Sequence, residues 1–429
     1  MVQRRTLLKA AGAAALAASP LAFVFRRTAQ AEVGPLISDP ARVLDLPRGF
    51  SYRVLERSFD PMSDGHRVPA RPDGMWCFAG PAGTLILMRN HELERNPAES
   101  GYVSAPAATY DPKAFGGVTR LVLKASTLER VSSNQVLTGT MRNCAGGASP
   151  WGWLSCEENV DPGHGYVFLC RIDQTRAAPP ERLPALGRFF HEAACVDPGS
   201  LDIYLTEDRP DGCLYRYRPL DATKPLSGGK LQALRVKGMP GLDTGRDMDP
   251  SMKLAADWVE ITDRDPRDDN VRAQAARAGA ARVRRGEGMV WHEGAVYVCS
   301  TSGGRADAGQ IFRLIPGKKG GDDTLELLAE SPGADVLDMP DNICVTPWGD
   351  IVMAEDGQGS QYLRGLTPDG HVYDIARNAR SDGEFAGVCL APGGQALFVN
   401  MQVDGLTLAI TGPLRKLREG SRRPARRAT

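Results

Sequence analysis

Apolar residues along the chain fall in short runs that are β-branched or aromatic, separated by glycine and proline, of which there are 47 and 31. Helical periodicity is weak except over residues 268–284, "DDNVRAQAARAGAARVR", where the spacing predicts one helix. Elsewhere the pattern is that of hairpins: a polar start, a short small-apolar strand, a Gly/Pro turn and a second strand. The profile is all-β.

This unit repeats six times. The copies are "PDGMWCFAGPAGTLILMRNHE" (72–92), "RNCAGGASPWGWLSCEE" (142–158), "HEAACVDPGSLDIYLTED" (191–208), "RGEGMVWHEGAVYVCSTSGG" (285–304), "PDNICVTPWGDIVMAEDG" (340–357) and "GEFAGVCLAPGGQALFVNMQ" (383–402). Aromatic third strands follow several of them, as in "GYVFLC" (165–170) and "QIFRL" (310–314). Six such units predict a six-bladed β-propeller with a few short helical insertions, built as one domain over residues 32–412. A β-sandwich fits the spacing less well.

The repeat carries a geometric expectation. In an antiparallel hairpin the start of the first strand and the end of the second lie at one end. With each first strand innermost, Asp73, Asn143, Glu192, Glu287, Asp341, Asn342 and Glu384 would start around a central channel. Glu92, Glu157, Glu158, Glu207, Asp208, Glu355 and Asp356 would end the second strands at the same mouth. Any one of these acids is explained equally well by a turn or a solvated strand end. Jointly they would repel one another and raise their pKa values unless cations neutralised them, and oxygen-rich sites select hard ions such as calcium.

The remaining composition refines this picture. Residues 1–31, with Arg4-Arg5, an alanine-rich apolar run and Ala29-Gln30-Ala31, read as a twin-arginine signal peptide, too short in its apolar part to span a bilayer. A periplasmic or secreted protein is expected, handled by the twin-arginine export machinery and without a stable membrane span. Residues 413–429 form a basic tail expected to be disordered; the body between leader and tail holds 40 basic against 51 acidic side chains, which argues against nucleic-acid binding. A monomer is expected. The nine cysteines show no C-x-x-C spacing, and Cys77, Cys156, Cys195, Cys299, Cys344 and Cys389 sit in strand-like runs as small hydrophobes. Cys144 differs, because it stands at the start of an inner strand beside the acidic mouth; a soft thiolate there argues for iron or another transition metal next to calcium. Gly146 and Gly147 would let the backbone approach the ions. Arg285, Arg209 and Arg89 each neighbour acids and are candidates for an anionic substrate or for simple ion pairs. His91 and His191 are candidate ligands or hydrogen-bonded structural residues. No G-x-S-x-G, Walker-type loop or H-E-x-x-H occurs.

These residues resemble the PhoX family of alkaline phosphatases. The resemblance rests on the twin-arginine leader and on "NHE", "NCAGG…PWG.WL.CEEN", "HEAA", "YLTED", "RGEG", "PDNICVTPWGD", "EDG", "ARN" and "EFAGVCLAPGGQALFVNMQ", which run in order from about residue 47 to 412. It implies a six-bladed propeller whose axial cluster of Fe3+ and Ca2+ hydrolyses small-molecule phosphate monoesters outside the cytoplasm. Cys144 would bind iron. Glu158, Glu157, Glu207 and Glu287 would bind metal, with Asp341, Glu355, Asp208, Glu192 and Glu384 completing the set, and Arg285 would hold the phosphate. The family usually reads "PWGTWL" where this chain reads "PWGWL" (150–154), one residue shorter. Alternation along the strand leaves open which of Glu157 and Glu158 faces the site. Two other functions fit the residues: a calcium-dependent propeller hydrolase of lactonase type, and a non-catalytic calcium-binding propeller.

Overall fold

A computed structural model describes residues 34–419 except 251 and 319–320. The segment read as a leader lies outside the described residues, as does the tail from residue 420. The fold is all-β and propeller-like. Its six innermost strands are Pro72–Ala79, Asn143–Ser149, His191–Val196, Gly286–His292, Pro340–Val345 and Phe385–Leu390. They touch one another in a closed ring, each inner strand against the next and the last against the first. Each pairs antiparallel with the second strand predicted for its unit: Thr84–His91, Gly152–Glu157, Ile203–Glu207, Ala295–Ser300, Ile351–Glu355 and Leu397–Met401.

Among the described residues the hydrogen-bonded sheets number five rather than six. Strand Lys253–Glu260 pairs on one side with Gly229–Val236 of the third unit and on the other with Asp323–Glu330 of the fourth, so these two units form one nine-stranded sheet. The edge strands that a separate blade would expose are thereby paired. The ring is closed by the N-terminal strand Ser51–Arg57, which pairs with Leu406–Thr411 of the last unit. A second N-terminal strand, Leu44–Pro47, joins the outer edge of the fifth unit.

Apolar side chains pack between neighbouring sheets. Leu154, Leu169, Leu205 and Tyr215 fill the space between the second and third units, for example, and Met75, Leu87, Cys389 and Phe398 that between the first and last. Eight of the nine cysteines are buried and none is in a disulfide among the described residues, as the packing reading expects.

Two expectations need correction. The helix predicted over 268–284 spans only Val271–Arg277. Gly279, at φ +80°, turns the chain out of the helix, and Ala281 and Val283 then donate to the carbonyls of Leu234 and Gly212. The tail, expected to be disordered from 413, begins with a helix, Leu414–Glu419. Leu414 and Leu417, three residues apart on one face, are buried against the core of the last two units.

The narrowness of the ring depends on small residues. A Cβ on Gly147 would lie 1.7 Å from the Ala194 carbonyl oxygen of the next inner strand, and one on Gly288 would lie 2.6 Å from that of Asp341. These glycines therefore let backbone approach backbone, not backbone approach an ion as the sequence suggested for Gly147.

Candidate metal centre

Every inner strand carries the same irregularity near its start. Its register runs three residues against two on the partner, between Pro72 and Met75, Asn143 and Gly146, His191 and Ala194, Gly286 and Met289, Pro340 and Ile343, and Ala386 and Cys389. A bulge of this kind re-aims one side chain. The residue it contributes is Asp73, Cys144, Glu192, Glu287, Asp341 and, in the sixth unit, Gly387. Five strands thus bring ligand-type side chains to one level of the ring, and the sixth brings none. Glu384 lies three residues before that sixth position, just outside the inner strand.

Three groups of potential ligands result: Asp73, Glu92 and Cys144; Cys144, Glu158 and Glu192; Glu192, Glu287 and Asp341. Within each, one ligand atom per residue lies within 4.8 Å of the others. Cys144 and Glu192 are shared, so the groups form one continuous run. Glu192 is fully buried and, among the described residues, neither of its carboxylate oxygens has a hydrogen-bond partner; Asp73 Oδ1 is likewise unpartnered. Orphaned buried carboxylate oxygens of this kind are costly unless a cation takes them. The donor set, several carboxylates and one thiol, fits a hard ion beside a softer one.

Electrostatics point the same way. Burial, then the charges of Asp341 and Glu158, hold the Glu192 carboxyl well above its ordinary range, and burial with Glu92 does the same for Asp73. Glu158 is pushed up to about 8 and Asp341 to about 7, burial being the main cause in both. Desolvation, then Asp73 and Glu192, drive the Cys144 thiol well up. The metal-free cluster is a set of carboxyls that keep their protons because they cannot all ionise.

At the mouth, Arg285 makes a two-pronged ion pair with Asp208, at 2.8 and 3.1 Å, and reaches Glu287 at 3.1 Å. Burial opposes its charge, but Asp208 and Glu287 outweigh that and raise its pKa. Glu384, half-buried beside Asp356 and Asp73, is pushed up to about 11 by desolvation and then by those two charges, and shares a hydrogen bond with Asp356. Beyond the acids along the axis lies a cavity of about 260 Å³ lined by Trp76, Trp153, Met289, Trp291, Ile343 and Val388.

Glu157, Glu207 and Glu355 are not brought to the cluster. All three occupy the same register position, opposite the first residue of the bulge: Asn143↔Glu157, His191↔Glu207 and Pro340↔Glu355. There the side chain is met by protein donors. Glu157 accepts from the backbone N–H groups of Met141, Gly165 and Tyr166 and pairs with His164 at 2.7 Å. Glu207 accepts from Tyr215 and Arg272, the latter supplied by the inserted helix. Glu355 accepts from Arg364 and the Asp338 N–H. Of the adjacent pair, Glu158 stands with Cys144 and Glu192 and Glu157 does not. The short turn closes with Ser149 opposite Gly152, so the missing residue is absorbed there and the strand keeps the parity of its counterparts.

His91 and His191 are structural: His91 pairs with Ala70 O and Thr119, and His191 with Gly187 O while stacked on Phe189. Arg89 is buried against Glu56, and Arg209 lies over the Phe190 ring. Asp73, Glu92 and Asp356, which the repeat placed at the mouth but the family resemblance did not assign, are in the cluster or beside it. Two further residues went unseen. Gln402 donates to both Asp73 and Glu92, at 2.6 and 2.9 Å. Arg142 pairs with Glu92 at 3.2 Å and with Glu158 at 2.5 Å. Its place in "MRNC", matching Arg285 in "RRGE", was the available signal.

Comparison with known proteins bears on the fold and the family. In the solved structures, Pseudomonas fluorescens PhoX in complex with vanadate, a transition state analogue, superposes with a TM-score of 0.70 at 17% identity, over 92% of this chain and 98% of that one. XC5397 from Xanthomonas campestris, described as a gluconolactonase, follows at 0.46 and 13%, over 90% and 100%. Trypanosoma rangeli sialidase gives 0.43 and 8%, over 88% and 60%; likenesses this weak add nothing to the assignment. No curated protein sequence matches. The sequence itself matches the family described as Alkaline phosphatase PhoX over residues 31–136 and 125–405, so the chain belongs to the PhoX family.

Proposed function

We propose that the protein is an exported phosphomonoesterase that works with iron and calcium in the channel of a six-bladed propeller, the nine-stranded sheet being two blades fused at their outer edge. The observation that carries this is Glu192, whose two buried, unpartnered oxygens lie where two of the three ligand groups meet, with Arg285 at the mouth beside Glu287. Cys144 with Glu158 and Glu192 would hold Fe3+, the softer ion. Asp73 with Glu92, and Glu287 with Asp341, would hold Ca2+. When bound, such ions neutralise phosphoryl oxygens and activate an oxygen nucleophile.

The protein's own contribution is placement. Arg285 is already oriented by Asp208 and Glu287 through Nε and Nη2, so its Nη1 can donate to a phosphoryl oxygen with little ordering left to do. Asp208 stands behind Arg285, as an orienting group. The substrates are small phosphate monoesters, the site of action is the periplasm or the exterior after twin-arginine export, and the working unit is a monomer. The vanadate carried by the Pseudomonas fluorescens relative supports the phosphoryl reading.

The test is to purify the exported protein, measure iron and calcium together, and follow phosphate release from an aryl phosphate. Release that stops on calcium chelation is expected. A protein that contains both metals and releases no phosphate overturns the reading in favour of another ester or a binding role.

A further inference from the structure

The two arginines of the mouth are built alike. Arg142 and Arg285 each stand immediately before the bulge of an inner strand, and both adopt the left-handed backbone that non-glycine residues rarely take, at φ +48° and +43°. In both, the backbone carbonyl accepts from the residue just past the end of the second strand: Glu158 N at 2.9 Å for Arg142, Thr301 N at 3.0 Å for Arg285. The same angle and the same bond recur at Arg71 and Met339, before the bulges of the first and fifth units, so they belong to the repeat, and Arg142 and Arg285 are set apart by what their side chains meet.

Their side chains are also alike. Each is about a third exposed, and each bridges two carboxylates from different segments: Glu92 and Glu158 for Arg142, Asp208 and Glu287 for Arg285. The two arginines share a centre, because Glu158 and Asp208 are hydrogen-bonded to each other. The sequence of contacts is Arg142, Glu158, Asp208, Arg285. Each arginine uses Nε and Nη2 in these pairs, and Nη1 carries no hydrogen bond among the described residues.

We infer that Arg142 is a second phosphate-contacting residue, gripping the phosphoryl group from the side opposite Arg285. The inference rests on the phosphatase reading of the site. A phosphate monoester is a dianion with three terminal oxygens, more than one guanidinium fork can engage. Once cations neutralise Glu92 and Glu158, Arg142 no longer has to serve as their counter-charge, and its donors face the same opening as those of Arg285.

The test uses Arg142→Lys and Arg285→Lys in protein loaded with iron and calcium. Lysine keeps the charge beside Glu92 and Glu158 but loses the fork. Binding of inorganic phosphate is measured by calorimetry, separately from turnover of an aryl phosphate, with metal content and Tm as controls. Arg142→Lys is expected to weaken phosphate binding and raise KM by about tenfold or more, the scale of one charge-assisted hydrogen bond, with metals and Tm as in the parent. Phosphate binding equal to the parent's overturns the inference, and so does a loss of metal, which would make Arg142 a support for Glu92 and Glu158 only. If the parent binds phosphate but hydrolyses no ester, the proposed function falls while binding still decides the role of Arg142. If the parent does not bind phosphate, both fall.

Discussion

Glu157 and Glu158 are adjacent, chemically identical and both buried, yet they belong to different worlds. Glu157 lies between sheets, saturated by three backbone N–H groups and His164. Glu158 faces the channel, paired with Arg142 and held protonated to about 8 by burial and neighbouring acids. The contrast recurs at Glu207 beside Asp208 and at Glu355 beside Asp356. Strand alternation does the sorting: one residue points between blades and the next into the mouth. The first kind of acid serves stability, because the fold supplies its partners. The second kind is left short of partners and stands ready for a cation.

The sharpest way to break this contrast is at Glu192, the most deprived of the channel acids. Glu192→Gln is expected to lower metal content and to cut phosphate release by roughly 10³-fold or more, as loss of a shared metal ligand should. The same change removes a buried, unpaired carboxyl, so the metal-free variant should melt no lower than the metal-free parent. Elemental analysis, turnover and thermal unfolding together check this. A parental metal content in the variant would refute the assignment of Glu192 to the centre.

Next in size is the exchange of neighbours. Glu157→Gln turns an acceptor into an amide donor facing backbone N–H groups, at a cost of about 2–4 kcal/mol in unfolding free energy, while the folded protein keeps its metals. Glu158→Gln mimics a carboxyl that already keeps its proton near neutrality, so it should cost little stability but weaken metal uptake. Denaturant unfolding and metal titration of the pair read both effects. If the two variants exchanged behaviours, the parity argument would be wrong.

How much of this could be read from residues alone follows the range of the interaction involved. The hairpin units were legible because strand, turn and strand are written locally in "PDNICVTPWGDIVMAED" and its copies. Convergence of the acids on one mouth followed from the repeat. The fused sheet was not legible, since Lys253–Glu260 pairs with strands from two units and nothing in its own letters names them. Parity was hidden for the same reason: the bulge that fixes it is a relation between two strands. Glu157, Glu207 and Glu355 therefore read as ligands, and Arg142 showed only in the match of "MRNC" to "RRGE". Its partners Glu92 and Glu158 lie far along the chain.

The smallest expected effect is also the one that separates the two kinds of acid in a single sample. A carboxyl whose pKa is raised on folding contributes stability that is fully present below its unfolded value, near 4–4.5, and lost as pH rises through the folded value. For Glu158 that loss accumulates up to about pH 8, and for Asp341, Glu207 and Glu355 up to about 7, above which it levels off. His91 and His191, whose pKa values burial lowers, act with the opposite sign, but only below about pH 6.5, where the unfolded imidazole gains its proton. Between about pH 5 and 7, where these four carboxyls outnumber the two imidazoles, the metal-free protein should thus lose Tm as pH rises. Metals binding at the channel displace the protons of Glu158 and Asp341 and cancel their share of the slope. The share of Glu207 and Glu355 remains, since no cation reaches them. A metal-loaded protein whose slope equals that of the metal-free protein would place the raised pKa values outside the channel, and one whose slope vanishes would place Glu207 and Glu355 within the centre after all.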